Sequence, residues 1–186
     1  MSEIEKNPLV GVIMGSDSDL DTMQYAGLRL DFFGVENEFR IISAHRTPEA
    51  LTKYGHEAVE RGLKIIIAGA GGSAHLQGMM ASHTRLPVLG VAIESTDTMN
   101  AAFGSMVRMP KGIPLATMGK GEAGAENAAL EAVRILALSD PSLAEDYDDY
   151  VISLRKEVQR KDAKLFEMGP QAYLASLKNI TPSTKA

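Results

Sequence analysis

The stretch "LKIIIAGAGGSAHLQGMM", Leu63 to Met80, decides the fold. Its first part, "LKIIIA", is apolar and β-branched with no polar alternation after Lys64. A strand with that pattern is buried on both faces, as in a parallel sheet covered by helices. Three glycines in four residues, Gly69, Gly71 and Gly72, follow at once, and Leu76 to Thr84 then reads as a short helix. Strand, glycine loop and helix in that order form the unit from which layered α/β proteins are built.

The same unit repeats outward. Leu9 to Met14 reads as a strand and Asp19 to Phe33 as an amphipathic helix ended by Gly34. Glu38 to Ile42 is the second strand, and Pro48 to Arg61 a helix closed by Gly62. Pro87 to Ile93 is the fourth strand, Ile113 to Thr117 a weaker fifth, and Ala123 to Leu138 an alanine-rich helix. Such an order predicts right-handed crossovers and an open α/β sandwich. After Ser139-Asp140-Pro141 the pattern changes: Leu143, Tyr147, Tyr150, Val151, Leu154 and Val158 recur at helical spacing among charges. The expected organisation is a catalytic domain over 1–140 and a helical extension over 141–186, packing on its own or a neighbouring subunit. Gly169-Pro170 should stop the long helix, a small one should run from Gln171 to Leu177, and "TPSTKA" should fray.

The chain has 186 residues, 45% of them hydrophobic, which suits one domain with an appendage. A net charge of −5 advertises no nucleic-acid partner. There is no cysteine, which excludes disulfides and thiolate chemistry. "MSEIEKNP" is too polar for a signal peptide, and no apolar run approaches the ~18 residues of a membrane span. The expectation is a cytoplasmic protein away from membranes.

In a parallel sheet the carboxyl ends of the strands share one edge, where ligands bind. Here the first strand is followed by "GSDSD" (Gly15 to Asp19), the second by "SAHRTP" (Ser43 to Pro48), the third by "GAGGSAH" (Gly69 to His75). In the first loop, serine and aspartate can cap the next helix, and a carboxylate there suits a sugar hydroxyl better than a phosphate. In the second, Pro48 fits the first helical turn. The planar fork of Arg46 fits phosphate, and His45 can move a proton near neutral pH. In the third, Gly69-x-Gly71-x-x-Ala74 fits a dinucleotide fingerprint, with Glu94 at about the distance of a ribose-binding acid. That dehydrogenase reading is disfavoured, because the glycines follow the third strand rather than the first. His56 and His83 read as packing or surface residues, and the histidines have no metal-ligand spacing. "GKGEAGAEN" lacks the ending of an ATP-binding loop.

Taken together, "GSDSD", "SAHRTP" and "IIIAGAGGSAHLQGM", extended by "LPVLGV", "RMPKGIPLAT" and "AGAENAALEAVRILAL", closely resemble the N5-carboxyaminoimidazole ribonucleotide mutase family. The resemblance implies a three-layer sandwich with a flavodoxin-like sheet, assembled as a homo-octamer. It also implies a small-molecule ribonucleotide substrate whose carboxylate moves from the exocyclic nitrogen to ring C4, with no metal, ATP or organic cofactor. It assigns substrate contacts to Ser16, Asp19, Ser43 and Arg46, the base and carboxylate pocket to Gly71, Gly72 and His75, and proton transfer to His45. The family has a sister branch that carboxylates with CO2 directly, and Arg46 and "GAGGSAH" side with the mutase branch. Leu20, Gln77 and the segment Glu94 to Arg108 depart from the usual family pattern. A non-catalytic nucleotide-binding relative is the remaining alternative.

Overall fold

The structure is a computed structural model that describes residues 8–93 and 99–178. Five parallel strands form one sheet in the order β2-β1-β3-β4-β5, the flavodoxin-like arrangement. They are β1 (Val10–Met14), β2 (Asn37–Ile41), β3 (Ile65–Ala70), β4 (Val88–Ala92) and β5 (Ala116–Lys120). The helices are α1 (Leu20–Phe32), α2 (Pro48–Glu57), α3 (His75–His83), α4 (Met99–Met106), α5 (Gly121–Ala137) and α6 (Pro141–Lys178). α1 packs with α5, while α2, α3 and α4 pack in succession, giving helical layers on both sides of the sheet.

The sequence pattern explains where the core lies. Every residue of β1, β3 and β4 is buried, as their unbroken apolar runs require. Ile65, Ile66 and Ile67 are fully buried, and each such side chain contributes about 1.5–3 kcal/mol of transfer free energy. The edge strands differ. β2, "NEFRI", lacks the unbroken apolar run of the inner strands and leaves Phe39, Arg40 and Ile41 exposed.

The fifth strand lies three residues beyond the expected Ile113–Thr117. Ile113 instead donates its N–H to the carbonyl of Pro110 at 3.3 Å in a turn, and Pro114 has no N–H for a ladder. α4 was not expected as a helix. Its Ala102 and Met106 are buried in a small cluster with Ala74 and Ala92, so tertiary packing carries it rather than propensity.

The chain divides into two compact units between Leu143 and Ala144. The second is helical, and Gly169 breaks it with φ 73° and ψ 161° directly before Pro170, where a stop was expected. Ile152, Leu154, Val158 and Phe166 of this unit are exposed. The polar N-terminus, Glu94 and the terminal "TPSTKA" lie outside the described residues.

Candidate active site

β1, β2 and β3 lie side by side and parallel, so the three loops that leave them meet at one edge. They line a cleft of about 510 Å³ that contains Ser16, Asp19, Ser43, His45, Arg46, Gly71, Gly72 and His75. All eight residues singled out in the sequence are therefore neighbours in space.

The first loop is a capping arrangement. Asp19 Oδ2 accepts the N–H of Ser16 at 3.0 Å, and Ser16 O accepts the N–H of Asp19 at 3.2 Å. Burial pushes the Asp19 carboxyl above the ordinary aspartate value. The backbone N–H groups of Ser16 and Gly15 oppose that shift, the charge of Asp17 adds to it, and Arg46 opposes it. Asp17 goes the other way: it is fully exposed, and bonds from the Ser16 hydroxyl and the Ser18 N–H lower its pKa.

The second loop is closed by Thr47, whose hydroxyl accepts the N–H of Ser43 at 3.0 Å and donates to Ser43 O at 3.1 Å. Pro48 then opens α2 at its first position. Arg46 Nε donates to Ser43 Oγ at 3.2 Å, and its Nη2 donates to Gly15 O at 3.1 Å. The guanidinium thus joins the first loop to the second. A guanidinium has five N–H donors, so these bonds leave most of them for an anionic ligand.

The third loop turns on Gly72, with φ 59°, and on Ala74, a non-glycine residue held left-handed at φ 46° and ψ 46°. Such a conformation costs roughly 1–3 kcal/mol and persists only where the surroundings impose it. It sets His75 at the first position of α3, with Nδ1 2.8 Å from Nε2 of His45. The two rings meet edge to face at 81°. A bond between two imidazole nitrogens needs one donor and one acceptor, so one of the facing nitrogens carries the proton and the other offers a lone pair. Such a pair, beside an arginine with unspent donors, can hold an anion and move a proton next to it.

Other readings of the sequence find their places too. Gly69 lies inside β3, paired with Met14, not in a turn, so the dinucleotide fingerprint lacks its loop. His56 and His83 stack edge to face at 5.8 Å where α2 and α3 end, and with Glu60 and Arg85 they line a separate surface hollow. Among the described residues no group of three or more His, Asp or Glu side chains is arranged to hold a metal ion. No local sequence signal marks the carbonyl of Gly15 as a partner of Arg46.

Residues 9–157 match the family model described as AIR carboxylase. The chain is 49% identical over 172 residues to a Pyrococcus horikoshii protein named N5-carboxyaminoimidazole ribonucleotide mutase, covering 91% of this chain and 96% of the relative. It is 50% identical over 169 residues to a Synechocystis protein of the same name, covering 90% and 95% respectively. Among solved structures, PurE of Treponema denticola superposes with a TM-score of 0.77 at 32% identity, covering 85% of this chain and 98% of the other.

Proposed function

The chain belongs to the AIR carboxylase family, and we infer that it acts as an N5-carboxyaminoimidazole ribonucleotide mutase in purine biosynthesis. The observation that carries the assignment of roles is the 2.8 Å His45–His75 contact, in the same cleft as the unspent donors of Arg46.

In our reading Arg46, with Ser16 and Ser43, holds the ribonucleotide phosphate in charge-assisted bonds. The Asp19 carboxylate accepts a ribose hydroxyl. Gly71 and Gly72 let the aminoimidazole ring approach the backbone, and His75 borders the carboxylate. His45 gives a proton to the exocyclic nitrogen. The carbamate C–N bond then breaks, its electron pair stays on nitrogen, and CO2 is released inside the cleft. Ring C4 attacks that CO2 to form the new C–C bond. The proton left on C4 returns to His45, which restores aromaticity and resets the acid. One histidine thus serves as acid and then base, and the contact with His75 gives it a partner that accepts or supplies the shared proton. No electron is gained or lost and no phosphoryl group moves, so the proposal includes no metal, ATP or organic cofactor.

The proposal extends to a homo-octamer in the cytoplasm. Leu154, Val158 and Leu165 of the second unit are exposed and spaced to share one helix face, and an apolar stripe of that kind supports assembly. Among the described residues no helix is long and apolar enough to cross a membrane.

The deciding experiment incubates the purified protein, without ATP and with a chelator, with either the N5-carboxy substrate or aminoimidazole ribonucleotide plus CO2. Turnover of the first should dominate. Turnover of the second alone would move the protein to the sister reaction, and turnover of neither would make it a binding protein.

A further inference from the structure

We propose that Gln77 is a positioning residue: it sets the orientation of His75 and thereby the geometry of the His45–His75 pair. The inference rests on the reaction proposed above. Gln77 is the third residue of α3, two after His75, and it is fully buried. Its Nε2 donates to the carbonyl of Val91 on β4 at 2.9 Å and to that of Ala70 on β3 at 3.4 Å. One amide therefore reaches two neighbouring strands, at the point where β3 gives way to the Gly71–Ala74 turn.

Fold stability alone does not explain a glutamine here. Its Oε1 is buried with no partner, which is unfavourable in a core. The carbonyl of Ala70 already accepts the N–H of Ile93 at 3.0 Å, so it does not depend on the amide. Leucine would fill similar space, favour the helix as well and leave no orphan acceptor. What the amide adds is direction. Apolar contact fixes how near α3 lies to the sheet, whereas two bonds from its first turn also fix its rotation and its rise. His75 rides on that same turn, directly after the left-handed Ala74. With the tie removed, Ala74 is free to relax and His75 Nδ1 to leave His45 Nε2.

The test uses Gln77→Leu and the length-matched Gln77→Met. Three quantities are measured: the thermal midpoint, kcat and KM on the N5-carboxy substrate, and the ¹⁵N shifts of the two histidine rings in the free protein. We expect a thermal midpoint at or above that of the wild type and KM within about threefold. We expect kcat to fall about tenfold or more, as for a reacting pair held loosely. The unequal ring-nitrogen shifts of a hydrogen-bonded histidine pair should collapse toward those of two free rings. Wild-type kcat and wild-type shifts in a folded variant would overturn the proposal. So would failure of both variants to fold, or a kcat loss that only tracks a lowered midpoint, because either would make the amide a stability determinant. If the wild type turns over neither substrate the reaction is wrong, and the ring shifts still test the positioning by themselves.

Discussion

Replacing Gly55 with alanine tests whether the crossing of α2 and α3 sets the site. A Cβ at Gly55 would lie 2.7 Å from the Cβ of His83, 2.9 Å from its carbonyl oxygen and 3.2 Å from its carbonyl carbon. Carbon atoms rest about 3.5–4.0 Å apart, so the helices must separate by about 1 Å. The obstruction is mostly backbone and cannot swing away. Helix propensity alone would make alanine the better residue by about 1 kcal/mol. Overpacking costs about 1–3 kcal/mol, and a rigid obstruction calls for the upper end. The net expectation is a loss of about 2 kcal/mol, or about 6 °C in Tm for a chain of this size. The effect should also reach the cleft. α2 begins three residues after His45, and α3 begins with His75. A shift of about 1 Å takes their 2.8 Å contact beyond hydrogen-bond range, and turnover should fall about 10- to 100-fold. Thermal unfolding at fixed protein concentration and a turnover assay read both effects. An unchanged or raised Tm would refute the steric argument. A lowered Tm with wild-type turnover of the folded fraction would refute the link from helix crossing to site.

Three further outcomes are expected. His45→Asn should bind the ribonucleotide within about tenfold of wild type but turn over about 10²-fold or more slowly, checked by calorimetry and product formation. Arg46→Ala should raise Kd by about 10- to 100-fold, the loss of a charge-assisted bond worth about 1.5–3 kcal/mol, and an unchanged Kd would put the phosphate elsewhere. Asp19→Asn should stabilise the protein at neutral pH and slow it. The folded pKa of Asp19 is raised above the ordinary 3.8, so its favourable share of stability is complete below 3.8 and is lost as pH rises through the folded value. The neutral amide should remove that dependence, so its Tm advantage at pH 7 should vanish in acid, as thermal melts at both pH values will show.

The sequence made the buried strands legible because their chemistry leaves little choice. β1, β3 and β4 begin and end within two residues of the expected positions, since runs such as Ile65-Ile66-Ile67 fit only between two helical layers. The three loops were legible for the same reason: a parallel sheet must send the chain out of one edge. β5 was misplaced because Ile113 drew the strand forward, although Pro110 and Pro114 confine that segment to a turn. α4 was missed because "MNAAFGSM" is apolar without charges or caps, so nothing separates it from a loop until Ala102 and Met106 meet Ala92. In the cleft, residue types were readable and contacts were not. Nothing local says that Asp19 is buried, that Arg46 reaches Gly15, or that His45 and His75 face each other across 30 residues of chain.

The parallel sheet also sets the order of events as the chain folds. Each strand pairing joins distant residues: Val10 meets Asn37 and Ile65, and Leu89 meets Ala116. Chain closure of that length is slow beside helix formation, so helical signal should rise well before the sheet is in register. The cleft draws on the ends of β1, β2 and β3 and on nothing that a fragment could assemble earlier. A nascent chain released from synthesis only as far as α2 therefore carries His45 and Arg46 but no cleft, and under the proposed function nucleotide affinity should arrive only once β3 lies beside β1.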